Sequence, residues 1–193
     1  MPRNEPPSET RTIAELVERL GRIVRADEHK GGLNPAQWEA LRYLARCNRF
    51  SNTPGALTRY LAATKGTVSQ TLNALERKGL LERRPDPSSG RVVRLNLTRA
   101  GRALAARDPL AMLADAAATC DGRTRAAAAD ALTAMLGALQ RANGLLPFGV
   151  CHTCRHFRPN AADGSPHWCA LLEQRLNEAD SRAICVEHSP LAA

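Results

Sequence analysis

The first regular pattern in the chain is that of an amphipathic helix. Apolar residues recur at steps of three and four positions, the spacing that places side chains on one face of a helix. The helix is predicted within residues 11–33, after a Pro-rich stretch over residues 1–10 that we expect to be disordered. Its apolar face is formed by Ile13, Leu16, Val17, Leu20, Ile23 and Val24.

Start and stop signals predict three more helices between residues 34 and 79. Asn34-Pro35 and Thr53-Pro54 each place a capping residue before a proline at the first helical position. An interruption over residues 63–66 then separates two short helices, the second of which we expect to begin at Thr67 and to end at a glycine. Two helices joined by a tight turn are typical of a helix-turn-helix. The predicted buried face of the second helix holds Val68, Leu72 and Leu75.

A β-hairpin is predicted directly after the helix-turn-helix. Val93, Leu95 and Leu97 recur at every second position, which indicates a strand with one buried face. A turn containing Pro and Ser, over residues 85–90, separates this strand from the preceding one. Thr98 can cap the Ala-rich helical sequence that follows. The predicted fold class is therefore mainly α with a small β-hairpin wing.

Positive charge is concentrated in the segment that contains these elements. The formal net charge of the chain is +8. Residues 42–107 alone carry fourteen Lys and Arg against three acidic residues, a net charge of +11, and the remainder of the chain carries −3. This distribution favours an anionic partner for the helix-turn-helix.

The solvent face of the second short helix carries small polar residues that can donate to and accept from base edges in the DNA major groove. The candidates for base contact are Thr67, Ser69, Gln70 and Asn73. The cations around them are suited to phosphate groups, and these are Lys65, Arg77 and Lys78, flanked by Arg49 and Arg59. The alternative is a polar helix face that meets only water.

The stretch over residues 57–101 resembles the core of MarR-family transcriptional regulators. It has a helix-turn-helix, a turn into a wing, an Asp and an Arg in the wing, and a closing Leu-Thr-x-x-Gly. The resemblance implies that 67–78 is the recognition helix, that Arg91 enters a minor groove, and that the flanking helices pair two subunits on a palindromic operator in double-stranded DNA. The wing tip departs from the family pattern because it lacks a second acidic residue.

After Gly144 the composition changes to Pro, Gly, His and Cys, which predicts a separate Cys-rich module over residues 145–193. A Cys-x-x-Cys pair and two later single cysteines can supply four thiolate ligands to one metal centre. The predicted ligands are Cys151, Cys154, Cys169 and Cys185.

An iron-sulfur cluster (4Fe-4S) or Zn could occupy such a centre. The cysteine spacing resembles that of high-potential iron-sulfur proteins, and this favours the cluster. Zinc is the alternative, with Cys185-x-x-His188 as a second ligand pair, and a metal-free thiol switch is a third possibility. Cys47 and Cys120 lie in helical sequence and are interpreted as small apolar core residues.

The predicted domains are a dimerisation helix at 11–33, a winged helix-turn-helix at 34–101, dimerisation helices at 102–144 and the metal-binding module at 145–193. The leading hypothesis is a homodimeric repressor whose DNA binding is tuned by the metal centre. The second hypothesis is a regulator that responds to a small-molecule effector and has a purely structural zinc clip. The third is a redox carrier.

The chain has no apolar run long enough to span a bilayer, and its first residues do not form a secretion signal. We therefore expect a cytoplasmic protein without a membrane partner. We do not expect an enzyme, because no His-x-Glu element precedes Cys151 as a deaminase-type zinc site would require.

Overall fold

The chain is described from a computed structural model, which covers residues 8–28, 32–87, 89–161 and 164–191. Disorder is predicted for residues 1–10, of which residues 1–7 lie outside the described ranges. For residues 9 and 10 it is wrong, because the first helix begins at Glu9. The carbonyl of Ser8 accepts a hydrogen bond from the Thr12 amide at 2.9 Å, and an acidic residue in the first turn suits the helix dipole.

Helices make up most of the described chain, which confirms the predicted fold class. In chain order they are α1 Glu9–Glu28, α2 Pro35–Arg46, α3 Pro54–Tyr60, α4 Lys65–Arg77, α5 Arg99–Ala105, α6 Ala111–Ala118, α7 Gly122–Ala142 and α8 Glu178–Ser181.

In the described ranges the strands form three small antiparallel sheets, in which β1 pairs with β2, β3 pairs with β7, and β5 lies between β4 and β6. The first sheet is the predicted wing. The strands are β1 Leu81–Asp86, β2 Ser89–Leu97, β3 Gly149–Val150, β4 Phe157–Pro159, β5 His167–Cys169, β6 Gln174–Leu176 and β7 Ile184–Cys185.

Helices α2, α3 and α4 enclose a hydrophobic core together with the base of the wing. Burying one large apolar side chain stabilises the fold by about 1.5–3 kcal/mol, so this cluster is a principal source of stability. The largest side chains that are fully buried in it are Trp38, Tyr43, Leu41, Leu57, Leu72 and Leu75.

Capping residues set the helix starts in this core. Asn34 forms a capping box with Gln37 at the start of α2, and the Thr53 hydroxyl accepts from the Ala56 amide at the start of α3. Helix α4 begins at Lys65 rather than at Thr67 as predicted. Because the Thr64 side chain accepts a hydrogen bond from the backbone of residue 67, the helix starts two residues earlier and the turn before it is shorter.

The wing hairpin is held at its base. Leu81 pairs with Leu97, and the amide of Leu95 donates to the carbonyl of Asn52, at 2.7 Å, which joins the hairpin to the segment between α2 and α3. Leu95 and Leu97 are buried as predicted, but Val93 is 39% exposed. Val93 pairs with Pro85 near the tip, beyond the reach of the core.

Two helices present apolar faces that the rest of the described chain does not cover. The apolar residues of α1 from Ile13 to Ile23 are 42–57% exposed, whereas Val24 is buried. Leu132, Leu136 and Leu139 of α7 are 49–60% exposed. Within the described residues, none of the helices is both long and apolar enough to cross a membrane.

The Cys-rich module packs against the winged helix. Ile184 and Val186 are buried in the same core as α2, α3 and α4, and Cys47 at the end of α2 forms a parallel bridge with Ile184. The Phe148 ring lies edge-on to Tyr60 of α3, with 5.0 Å between their centroids. The last part of the chain therefore completes the core of the domain predicted at 34–101.

The two cysteines outside the module have different surroundings. Cys47 packs partly buried against the core, as predicted, and burial raises the pKa of its thiol to about 12. Cys120 is exposed at the end of α6, so its interpretation as a core residue is wrong. The periodicity of Ala-rich sequence does not show which face of such a helix is covered.

The glycine that closes Leu-Thr-x-x-Gly is required by close packing. A Cβ atom added to Gly101 would lie 2.1 Å from the carbonyl oxygen of Leu80, which belongs to the backbone and cannot turn aside. We expect Gly101→Ala to lower the free energy of unfolding by about 3 kcal/mol, the upper part of the usual range for overpacking. Urea denaturation measures this change.

Gly55→Ala is the matched control for this variant. A Cβ at Gly55 in α3 would meet no atom within 4 Å apart from its chain neighbours and the backbone of its own helix. Alanine is favoured over glycine in a helix by about 1 kcal/mol, so this variant should be neutral or more stable. Equal unfolding midpoints for the two variants would contradict the assigned role of Gly101.

Candidate nucleic-acid interface and cysteine cluster

Helix α4 packs on the core through one face and exposes the other. Val68, Leu72 and Leu75 are buried, as predicted. Thr71 is buried with them, and its hydroxyl donates to the Thr67 carbonyl at 3.0 Å. The predicted contact residues of this segment are all exposed, and these are Lys65, Thr67, Ser69, Gln70, Asn73, Arg77 and Lys78.

Some of these exposed residues already have partners within the chain. The Asn73 side-chain oxygen accepts from Arg83 of β1 at 2.8 Å, which ties the helix to the wing. The Lys78 ammonium donates to the Gly32 carbonyl and to the Gln37 side chain, so it braces the start of α2. The Thr67 hydroxyl is 2.9 Å from the Thr64 hydroxyl at the helix cap.

Arg91 is exposed next to the tip of the wing, as predicted. Asp86, the acidic residue near the wing tip, does not pair with Arg91 in the described contacts. Asp86 forms an ion pair with Arg94, with 2.5 Å between Oδ2 and Nε, and its other oxygen accepts from the Ser89 amide. The side chain of Asp86 is 8% exposed, so this ion pair fixes the turn from inside the hairpin.

Arg94 anchors the wing, a role that the sequence did not reveal. Its Nη1 donates to the carbonyls of Arg49 and Phe50, at 3.0 and 3.1 Å, and to the side chain of Asn52 at 3.2 Å. The alternating pattern of β2 placed Arg94 on the polar face, but no local signal indicated partners 42–45 residues away.

Two arginines that the sequence offered as phosphate contacts are bound by the Cys-rich module instead. Arg49 forms an ion pair with Asp180 at 2.8 Å and also donates to the carbonyl of Arg175. Arg59 lies 3.3 Å from Glu187 and from the Val186 carbonyl. The module thus neutralises part of the positive charge carried by residues 42–107.

Arg42 joins the winged helix to the flanking helices. It contacts Glu28 at the end of α1 and Asp108 between α5 and α6, each with a nearest distance of 2.7 Å. The Glu28 side chain is 3% exposed. Because a buried carboxylate is costly without a cation beside it, this group fixes the angle at which both segments leave the core.

The four predicted ligand cysteines lie together. They line one small cavity, which Phe157 closes with Leu171 and Leu176. Among the described residues, no group of three or more His, Cys, Asp or Glu side chains is already arranged to hold a metal ion. The structure therefore brings the four thiols to one place without showing a formed coordination site. The residues concerned are Cys151, Cys154, Cys169 and Cys185.

The thiols of this cluster interact with each other and with nearby donors. The interaction between the Cys151 and Cys185 thiols raises the pKa of Cys151 and lowers the pKa of Cys185. The Asn48 side chain donates to the Cys151 sulfur and the Ser189 amide to the Cys154 sulfur, each at 3.4 Å. Donors of this kind stabilise sulfur in its thiolate form.

His188 does not line the cysteine cavity. Its Nε2 is 3.0 Å from the Thr153 hydroxyl, and its ring packs on Gly149 so closely that a Cβ there would lie 2.5 Å from the ring. Burial lowers the pKa of His188, and its Nδ1 is buried without a hydrogen-bond partner. The structure therefore does not place His188 beside Cys185 at the cavity, as a ligand pair would require.

Comparison with known proteins supports the winged-helix assignment. Residues 31–92 match the sequence model of the MarR family. No protein with a curated function matches the chain in sequence.

Solved structures with similar folds cover 69% of the chain. MepR, a transcription regulator of the Staphylococcus aureus multidrug efflux pump MepA, is 22% identical over 100% of its own length, with a TM-score of 0.55. Streptococcus pneumoniae FabT, solved in complex with DNA, is 24% identical over 98% of its length, with a TM-score of 0.56. A mutant of E. coli MarR is 23% identical over 99% of its length, with a TM-score of 0.52.

Proposed function

We propose that this chain, whose winged-helix core matches the MarR family over residues 31–92, is a sequence-specific DNA-binding transcriptional regulator and a repressor. The observation that carries the proposal is the exposed polar face of α4, which lies beside a basic wing in a segment of net charge +11. A helix of this kind fits the major groove of B-DNA. The FabT structure in complex with DNA supports the same use of the fold.

The proposed contacts divide by chemistry. Gln70 and Ser69 are exposed and can read base edges, with Gln matched to adenine. Lys65 and Arg77 are suited to phosphates, which provide affinity but little sequence information. Arg91 at the wing tip is suited to a narrow minor groove, where the negative potential is strongest. Three of the predicted contact residues already have hydrogen-bond partners within the chain, and they would either exchange these partners for DNA or keep them. These residues are Thr67, Asn73 and Lys78.

The exposed apolar faces of α1 and α7 support a homodimer. A surface of this kind favours burial against a second copy, and two copies would present two recognition helices to a palindromic operator. A dimer bound across a promoter excludes the polymerase, and this is why we propose repression rather than activation.

We further propose that the cysteine cluster binds a metal ion and that the metal tunes DNA binding. Zn–S bonds of about 2.3 Å in a tetrahedron place sulfurs about 3.8 Å apart. The four cysteines of this chain line one small cavity. An iron-sulfur cluster inserts iron and sulfide between its ligands. The small size of this cavity thus supports zinc over the cluster that the spacing alone favours.

A small-molecule effector is the second candidate form of regulation, in which the zinc would be a structural clip. An open cleft lies between α7 and the core, lined by Tyr60, Phe148, Leu136 and Gln140 among others. Its aromatic and polar lining suits a small aromatic ligand. A redox carrier is a weaker third candidate, because it leaves the exposed face of α4 and the basic wing without a role.

Replacement of a base-reading residue should reduce specificity. Binding sites are first selected from random duplexes, and affinities are then measured by fluorescence anisotropy. We expect Gln70→Ala to lose about 1–3 kcal/mol on the selected site and little on a scrambled duplex. In the control, Arg77→Ala should weaken both duplexes equally and reduce the salt dependence. Equal affinity of the unaltered protein for both duplexes would show that sequence-specific binding is absent.

A charge placed on the apolar face of α7 should prevent dimerisation. Leu139 is 60% exposed in the single chain. We expect Leu139→Glu to sediment as a monomer and to bind one half-site weakly. Leu191→Glu, at a leucine that is 68% exposed and outside the helices, should remain a dimer. The dimer proposal fails if sedimentation velocity shows the unaltered chain as a monomer at micromolar concentration.

Metal analysis of protein purified without oxygen tests the cysteine cluster. We expect about one zinc per chain and a colourless solution, as for a four-cysteine structural site. Cys151→Ser should lose the zinc, whereas Cys120→Ser, at an exposed cysteine outside the cluster, should keep it. A brown protein that contains iron and sulfide would show that the site holds an iron-sulfur cluster instead of zinc. Absence of both zinc and iron would contradict the metal proposal.

A further inference from the structure

The segment between α2 and α3 touches both the cysteine cluster and the wing. Asn48 is 2% exposed and lies near the start of this segment, two residues after the end of α2. Its Nδ2 donates to the Cys151 sulfur at 3.4 Å, and its own amide donates to the carbonyl of Ile184 at 2.9 Å. Residue 48 belongs to the winged helix in sequence, but its side chain completes the surroundings of a thiol in the module.

The other end of the Asn48 side chain shapes the turn that holds the wing. Its Oδ1 accepts from the amides of Phe50 and Ser51, at 3.1 and 2.9 Å. The carbonyls of Arg49 and Phe50 in the same turn accept from Arg94 of the wing. An uninterrupted series of hydrogen bonds therefore runs from the Cys151 sulfur through one amide group and one turn to the hairpin.

The wing end of this series reaches the DNA-binding tip. Arg94 is ion-paired with Asp86, which in turn accepts from the Ser89 amide at the tip, two residues before Arg91. Phe50 also packs against the cysteine cluster, so the turn contacts the cluster through an apolar side chain as well. A displacement of the Cys151 sulfur would therefore reach the wing through a few residues that are hydrogen-bonded or packed against one another.

We propose that Asn48 is a positioning residue that links zinc occupancy of the cysteine cluster to the position of the wing. This rests on the proposed function, and it identifies the wing as the element that zinc adjusts. Zinc would convert Cys151 to a bound thiolate, which is a stronger acceptor for the Asn48 amide than a thiol. The turn would then be held, and Arg94 would keep the hairpin in one orientation. Without zinc, the donor loses its charged partner and the wing becomes freer.

Hydrogen exchange followed by mass spectrometry, without DNA, tests this link. Zinc-loaded protein is compared with protein stripped by a chelator and kept reduced by a phosphine. We expect zinc to slow amide exchange over residues 84–94 of the wing and to leave α4 unchanged. The same exchange in both states would overturn the link, as would a protein that binds no zinc.

Two variants test which residues form the link between the cysteine cluster and the wing. Asn48→Asp keeps the oxygen that accepts from Phe50 and Ser51, but it replaces the donor to sulfur with an acceptor. We expect it to bind zinc about 10–100-fold more weakly, as for other outer-shell changes, and to lose zinc-dependent protection of the wing when zinc is saturating. Arg94→Lys cannot reach the same set of acceptors, so it should keep zinc affinity and lose the protection.

Asn34→Asp is the matched control for the Asn48 variant. It makes the same chemical change at the opposite end of α2, where Asp caps a helix as well as Asn. It should retain both zinc affinity and the zinc-dependent protection. If Asn48→Asp also retains both, Asn48 is not the link. Because exchange is measured without DNA, a wing that responds to zinc in a protein that binds no DNA would refute the proposed function and leave the link standing.

Discussion

The segment over residues 47–53 is the point at which the parts of this molecule meet. It follows α2, pairs with β2 through Asn52, bridges to Ile184 through Cys47, and supplies the carbonyls that hold Arg94. A polar backbone segment in this position needs partners for its amides and carbonyls. Those partners come from the wing on one side and from the Cys-rich module on the other, so neither can shift without breaking hydrogen bonds in the segment.

The ion pairs of the arginines also connect the winged helix to the parts of the chain around it. Arg42 holds α1 and the α5–α6 connection through two carboxylates, and Arg94 holds the wing through Asp86. The module occupies Arg49 and Arg59. The cations that remain exposed on α4 and at the wing tip are those that the proposed interface uses. Many of the arginines behind the high net charge thus form ion pairs that hold the structure together. A smaller set of cations is left available to phosphates.

The sequence predicted the features that depend on local pattern. Periodicity, caps and a glycine stop located α2, α3, α4 and the hairpin, and cysteine spacing identified four thiols that lie around one cavity. It could not predict contacts between distant segments. The Arg49–Asp180 pair joins residues 131 positions apart, and the burial of Ile184 in the winged-helix core leaves no periodic signal in a two-residue strand. The late start assigned to α4 and the core position assigned to Cys120 were errors of local pattern.

The long sequence separation between the winged helix and the buried Ile184 and Val186 also bears on how the protein is made. Domains generally fold from the N-terminus as the chain leaves the ribosome. Here the core around Trp38 and Leu57 receives its last two buried side chains only after more than a hundred further residues have been synthesised. A nascent chain that has completed its wing still has an open edge beside α2 and α3. Residues 184–186 therefore close this core late in synthesis, and premature termination after residue 144 would release a winged helix with an uncovered core.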